Sequence, residues 1–299
     1  MISKIILRSV VFSSVLMMAA AMISCGGTRK DAFITFYTGS VSLVRDGSPV
    51  ALQIKSVVKD GDAIRTGDKS CLVVQTADGL IVRVESNTEA SFSSITNVNA
   101  REISIHRGKV LSLVGKLRKS EAYTIKTPTT IAAVRGTQFL TEYNGKDSVV
   151  AVGDGLVSVK RTAGVPDEKL VEKGKSAVTE GPGVTTEIRN TNSVENLELQ
   201  KLSTVPMINK VEEKKPEEIK ALYTETAAKD EKINDSLRDE TGLTPEEMKT
   251  KYGRIDILSL YDGRVVKGVI VSRGQVFKVL TSGSPVFIDA KDIRDTDVK

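Results

Sequence analysis

The sequence predicts a mainly β protein: a β-roll or irregular β-solenoid, then a charged helical linker, then a small β-barrel-like module. Three observations predict it. Apolar and polar residues alternate with period two over many short runs between 33 and 188, the pattern of strands with one face buried. Gly-containing dipeptides separate those runs, namely Asp46-Gly47, Asp60-Gly61, Asp78-Gly79, Arg107-Gly108, Asn144-Gly145 and Asp154-Gly155, each a turn signal. From 189 to 252 the composition shifts to Glu, Lys, Asn and Thr, and short alternating runs return from 253 to 299. The expected division is a leading signal (1–24), a tether (25–32), a β domain (33–188), the linker (189–252) and the small β module (253–299).

The leading segment has the build of an export signal. Lys4 and Arg8 give a positive start, and Val10 to Met22 is apolar apart from Ser13 and Ser14, too short for a comfortable membrane span. It ends in Met22-Ile23-Ser24-Cys25-Gly26-Gly27. This ending resembles the lipobox of bacterial lipoproteins, in the looser form found in spirochaetes. Cys25 matches the lipidated cysteine and Ser24 the small residue before it, while Met22 replaces the usual Leu. The resemblance implies a lipid anchor on Cys25. At about 0.8 kcal/mol per buried CH₂, two or more acyl chains hold a protein stably on a membrane. Residue 26 is not Asp, so the inner-membrane retention signal is missing and the outer membrane is favoured. Cys71 is the one other cysteine, so no disulfide framework is expected and a buried, inert thiol is.

Composition narrows the function further. The chain has 299 residues, no Trp and only 4% aromatic residues, so its core must be aliphatic. Its net charge is +5, two of which come from Lys4 and Arg8. No basic stripe is interleaved with aromatics, so a nucleic-acid partner is not expected.

In the β domain, Val41–Leu43, Leu72–Thr76, Leu80–Val84, Ile103–Ile105, Val110–Val114, Tyr123–Ile125 and Val149–Val152 read as strands. A Gly-x-Val phrase recurs at Gly39, Gly108 and Gly155 with uneven spacing, which fits stacked hairpins or an irregular β-roll better than a strict short-period solenoid. The stretch Thr127 to Phe139 organises the rest. Pro128 fixes its own φ and ends a strand, Ile131 to Val134 is a short apolar run, and Arg135-Gly136-Thr137 turns the chain into a strand through Phe139 and Tyr143. Thr127, Pro128, Arg135, Gly136, Thr137 and Phe139 form the candidate motif, with two readings open: a structural corner, or a partner or ligand contact through Arg135.

Several phrases in order resemble the FecR domain. These are Gly39-x-Val41; Asp60 to Gly67; Asp78-Gly79 with the strand after it; Gly108-Lys109-Val110; Thr127-Pro128 with Val134-Arg135-Gly136-Thr137-x-Phe139; Gly155-x-Val157; and Glu172 to Lys175. They cover about half the chain. The family takes its name from the transmembrane regulator of iron-citrate uptake, whose cytoplasmic anti-sigma segment has no counterpart here, since only a signal is expected before Cys25. What the resemblance implies is a periplasmic β module used for protein–protein contact. Iron binding does not carry over: His106 is the sole histidine, expected at an exposed or capping position, and no cluster has ligand spacing.

In the linker, Pro216-Glu217-Glu218 starts a helix with a thin stripe of Ile219, Leu222, Tyr223, Thr226, Ile233 and Leu237, interrupted by Asp230 and ended by Gly242. Thr244-Pro245-Glu246-Glu247 opens a second helix that Gly253 stops. A solvated spacer helix that packs lightly on its neighbours is the expectation, and a partner-helix or coiled-coil seam the alternative. In the last module, Ile255–Leu260, Val265–Ser272, Val276–Leu280 and Val286–Ile288 read as strands parted by Asp262-Gly263, Arg273-Gly274 and Ser282-Gly283, with a short fifth strand starting near Ile293. The arrangement resembles a small SH3-like or Sm-like barrel.

The chain is thus expected to be a membrane-anchored envelope lipoprotein with an envelope protein or glycan as partner. It is expected to act as a non-enzymatic binding or scaffold module. The alternative is a periplasmic sensor or signalling component that relays a ligand or partner state to an envelope protein. No cofactor and no enzyme activity are expected, because no nucleophile elbow, P-loop or zinc motif occurs.

Overall fold

The computed structural model describes residues 30–134, 136–163, 167–181, 185–207, 216–238, 244–282 and 286–298. It is mainly β, as the alternation requires. Among the described residues, seventeen strands before residue 191 form two facing layers joined through one shared strand. One layer runs, neighbour to neighbour, Val57–Val58, Ala32–Thr38, Cys71–Thr76, Ile81–Val84, the second half of Arg101–Leu113, Gln138–Tyr143, Ser148–Asp154, Lys175–Thr179 and Thr186–Asn190. The other runs Ser48–Val50, Val41–Arg45, Ala63–Thr66, Glu89–Ser94, the first half of Arg101–Leu113, Tyr123–Lys126, Thr130–Val134, Leu156–Arg161 and Glu168–Glu172. Nearly all pairings are antiparallel; Tyr123–Lys126 runs parallel to residues 101–104. Between the layers lies an aliphatic core that includes Ile34, Ile64, Leu72, Ile103, Ile105, Ile125 and Val159, with Phe92, Tyr123 and Phe139 as its large rings.

The Gly-x-Val phrases acquire a common meaning. Each opens the strand segment that follows a crossing between layers. Gly39, Gly108 and Gly155 all have positive φ, at 72°, 94° and 88°. At Gly108 a Cβ would sit 2.4 Å from Thr88 Oγ1 and 2.6 Å from Thr88 Cα, so a neighbouring turn fills the space a side chain would need. The dipeptide Arg107-Gly108 is therefore not a turn between two strands. It is a corner inside one strand of 13 residues, Arg101–Leu113. Inward-facing residues are odd-numbered before the corner (Ile103, Ile105) and even-numbered after it (Val110, Ser112). That parity change is what a kinked strand needs to feed both layers.

Helix α1, Ser193–Thr204, is absent from the sequence expectation. Its capping box is complete: Asn192 Oδ1 accepts from Glu195 N, and the Glu195 carboxylate accepts from Asn192 N. Helix α2, Pro216–Arg238, and helix α3, Pro245–Tyr252, follow. Helix α3 has the expected Thr244 capping box and a left-handed Gly253 cap. The expected stop at Gly242 lies outside the described residues. Among the described residues no helix is long and apolar enough to cross a membrane.

Helices α1 and α2 lie on the outer face of the first layer, which is hereafter the covered layer. Leu199, Leu202 and Val205 pack there on Phe36, Cys71, Val73, Ile81, Leu111, Leu140 and Ala151, with Tyr223 at the rim. The other layer leaves its outer face polar, with Ser91, Ser93, Ser104, Glu102 and Lys126 along it.

The last module is an antiparallel sheet in the order Val286–Asp289, Val276–Leu280, Val265–Ser272, Asp256–Leu260, Ile293–Val298. Five strands are present, including the short one at Ile293, but the barrel does not close. The 3₁₀ turn Ala290–Asp292 carries the chain from one edge of the sheet to the other, and the two strands it joins do not pair. One face of this sheet buries Leu258, Ile270, Phe277, Val279 and Ile288. Val269 and Leu280 pack against Met248 and Tyr252 of α3 and Val194 of α1.

Candidate functional site

The described residues of the motif from Thr127 to Phe139 are closely packed. Thr127 Oγ1 accepts from the backbone N–H of Thr129 and Thr130, at 3.3 and 2.9 Å, and lies 2.7 Å from Ser148 Oγ. Thr129 Oγ1 is 2.6 Å from the same serine. Pro128 is exposed, and its carbonyl accepts from Thr162 Oγ1 at 2.6 Å. Phe139 is fully buried, edge-on to Tyr123 at 6.2 Å, and Tyr123 O–H meets Ser112 Oγ at 2.8 Å. Thr137 is buried, and its carbonyl accepts from Val114 N. Gly136 has φ 80° and lies under Gly115 and Lys116. A Cβ on Gly155 would meet Thr137 Cγ2 at 2.5 Å and Gly136 O at 2.6 Å. The turn is thus wedged between two other loops. Arg135 and Cys25 lie outside the described residues.

The feature that gathers chemistry is elsewhere, under the helices. Across the covered layer one outward row runs Phe36, Val73, Arg83, Leu111, Leu140, Ala151, each opposite the next. Arg83 is the single cation in that apolar row. It pairs with Glu85, just past the end of its strand Ile81–Val84, and its Nη2 lies 2.8 Å from Asp230 Oδ2 of α2. Lys201 of α1 bridges Glu85 at 3.1 Å and Glu198 at 2.8 Å. Lys109 reaches Glu198 at 3.2 Å and Glu142 at 3.8 Å. The sheet supplies Arg83, Glu85, Lys109 and Glu142; the helices supply Glu198, Lys201 and Asp230. Asp230, which breaks the apolar stripe of α2 in the sequence, is that helix's buried anchor. Helix α1 is packed on the sheet, while among the described side chains of α2 only Thr226 and Asp230 are buried, as in a spacer that packs lightly on its neighbours.

Burial alone would neutralise these groups, and their partners prevent it. Desolvation pushes the Glu198 carboxyl up, but Lys109 and Lys201 outweigh it and leave it lowered to about 2. Glu85 is lowered in the same way, against burial, by Arg83 and Lys201. Lys109 and Lys201 are raised against burial by the carboxylates around them. All four are moved away from neutral pH and stay charged. An acid or base for catalysis needs the opposite shift, so the network is built to clamp rather than to move protons.

Beside the network, where α1, the covered layer and the last module meet, is a cavity of about 20 Å³ lined by Lys109, Glu142, Glu195, Glu198 and Arg254. That is room for about one water. The same junction holds two arginines on one carboxylate: Asp256, almost fully buried, lies 3.4 Å from Arg254 Nε and 3.6 Å from Arg273 Nη2. Arg107 donates to the Gly274 carbonyl across it. Cys71 is buried in the covered cluster, where desolvation first of all pushes its thiol up to about 12. His106 is exposed, 3.3 Å from Ser91 Oγ. Among the described residues no group of three or more His, Cys, Asp and Glu side chains is placed to hold a metal.

The network escapes a reading of the sequence because its members are far apart in the chain and each looks ordinary alone. Arg83 faces outward on a strand and Glu85 follows its end, both places where charge is expected. The one signal was Asn192-x-x-Glu195, a capping box that marks a helix close behind the β domain.

Residues 62–158 match the FecR protein family. That segment includes the sheet half of the network and the corner from Thr127 to Phe139. No curated protein shows significant similarity to the chain. Two crystal structures described as a "putative anti-sigma factor" from Parabacteroides distasonis ATCC 8503, at 1.65 and 2.50 Å resolution, are similar at 15% identity over 48% of this chain, each with a TM-score of 0.39. The chain spans 63% and 62% of their lengths.

Proposed function

We propose that the protein is an exported, lipid-tethered envelope component without catalytic activity, which senses a protein partner on its β-roll and relays that state through its helices and last module. One observation carries the reading. The FecR-matching segment supplies Arg83, Glu85, Lys109 and Glu142, while Glu198, Lys201 and Asp230 lie outside it. The layer that matches the family is thus coupled to other elements of this chain through buried charges that lose their partners when the two sides part. This favours a relay over a passive scaffold, whose outer parts need no such coupling. The tether follows from the lipobox-like ending at Cys25.

Photo-crosslinkers placed at exposed positions of the polar layer, such as Arg65 and His106, test the reading in intact cells. A specific envelope protein is expected in the crosslinked species. Irradiated and dark samples with the same species at every position would overturn it. Mass spectrometry of the native N-terminal peptide tests the anchor separately: a diacylglyceryl thioether on Cys25 is expected, and an unprocessed, unmodified end would remove the tether.

A further inference from the structure

The roll has two ends, and the chain enters at one of them. The Lys30 N–H donates to the Thr96 carbonyl at 2.8 Å, so the described fold begins beside the loop that follows Glu89–Ser94. Two other loops are tied to that place. Asp60 accepts from the N–H groups of Ile95 and Thr96 and from Thr96 Oγ1, at 2.7, 2.9 and 2.9 Å, which holds the loop of Lys55 and Lys59 there. The Ala122 N–H donates to the Val98 carbonyl at 3.2 Å, and the Ala122 carbonyl accepts from Arg101 N at 3.0 Å, which brings in the loop 114–122. The last module sits at the opposite end. A Cβ on Gly274 would meet the Asn87 Cβ at 2.8 Å, and Arg107 donates to the Gly274 carbonyl beside the Gly108 corner. From Arg101 to that corner the shared strand spans about 23 Å at about 3.3 Å per residue.

The loops at the entry end carry unengaged cations. Lys30, Lys55, Lys59, Lys116 and Lys119 are exposed, and none forms an ion pair among the described residues. The Arg118 side chain is 87% exposed and 4.0 Å from Glu121. The acids of the same loops are mostly turned to internal partners. Arg45 donates to both Asp62 oxygens at 2.7 Å, and Arg101 to both Asp78 oxygens at 2.9 Å. Asp60 holds the hydrogen bonds given above, and Glu121 accepts from the Arg118 N–H at 2.8 Å. Asp31 and Asp46 remain exposed beside them. The entry end is therefore net positive.

We propose that this end is a contact surface for the anionic phospholipid headgroups of the membrane that holds Cys25. Reach and charge set the occupant. Five residue steps separate Cys25 from Lys30, at most about 18 Å when fully extended. Acyl chains on Cys25 thus bring the entry end to the headgroups and hold the last module away from them. Lysines within about 10 Å of a negatively charged leaflet are drawn to it, and a basic patch beside acyl chains firms the anchor. The surface rests on the lipid anchor of the proposed function; the gathering of cations where the chain enters stands on the geometry alone.

Amine acetylation, mapped by peptide mass spectrometry, tests this on the native lipidated protein in phosphatidylcholine vesicles with and without phosphatidylglycerol. A surface at about −30 mV raises local proton activity about threefold and keeps nearby amines protonated. Lys30, Lys55, Lys59, Lys116 and Lys119 should therefore react at least about threefold more slowly on the phosphatidylglycerol vesicles. Salt at about 1 M, where the Debye length falls to about 3 Å, should remove the difference. Lys69 and Lys146, exposed at the far end, should react alike on both vesicles. In a protein that floats with the vesicles, equal rates for the five lysines, or a slowing shared by Lys69 and Lys146, overturn the headgroup surface. A protein that floats with neither vesicle and carries an unmodified Cys25 removes the anchor, and the headgroup surface with it.

Discussion

Glu198→Gln isolates the energy held in the ion network. In the folded chain the Glu198 carboxyl is lowered from 4.5 to about 2, because Lys109 at 3.2 Å and Lys201 at 2.8 Å outweigh burial. At 1.36 kcal/mol per pKa unit the gap is worth about 3 kcal/mol. The side chain is almost fully buried, so solvent screening removes little of this. A depressed carboxyl stabilises the folded state fully above its unfolded pKa and loses that contribution as pH falls from about 4.5 towards about 2. Glutamine removes the charge at every pH. Native and variant proteins should therefore differ by about 3 kcal/mol at pH 7 and converge as the pH approaches 2. The lysines act at the other end: raised above 10.5, they contribute fully below that value and lose it only as pH climbs past it. Urea titrations by far-UV circular dichroism suit a chain without Trp. A difference that stays constant between pH 7 and pH 3, or no difference at pH 7, would refute the clamp.

Two further outcomes follow from the packing. Gly155→Ala should cost about 2–5 kcal/mol, from a left-handed backbone and a Cβ driven into Gly136 and Thr137; Gly145→Ala, with positive φ but no atom within 4 Å, should cost about 1 kcal/mol, and equal melting temperatures for the two would contradict the wedged corner. Thr244→Ala should remove the α3 capping box at about 1 kcal/mol, read as faster amide exchange in α3, whose Met248 and Tyr252 seat the last module; unchanged exchange there would show that the cap is idle.

Much of the roll was legible because Asp-Gly and Asn-Gly turns need residues that tolerate positive φ, and Gly47, Gly61, Gly79, Gly145, Gly155 and Gly263 all have it. Gly108 has it too, at a corner inside a strand. Local chemistry cannot separate these cases, since a corner and a turn ask the same of the backbone, and only the neighbouring Thr88 decides. Around the candidate motif, the hydroxyl cluster of Thr127, Thr129 and Ser148 was not legible, because it depends on a residue 19 positions on. Asp230 was misread for a general reason. Hydrophobic periodicity scores a buried acid as an interruption, and the guanidinium that makes it an anchor is carried 147 residues earlier by Arg83. The open edge of the last sheet was likewise invisible, because strand count and turn spacing are the same for an open sheet and a closed barrel.

Strand Arg101–Leu113 is hydrogen-bonded into both layers. It works as a keystone. Neither layer can slide over the other or peel away without tearing ladder bonds on both sides of Gly108. Local opening therefore has to begin at the margins, at Ser48–Val50 and Thr186–Asn190, while amides in the shared strand exchange only when the whole roll comes apart.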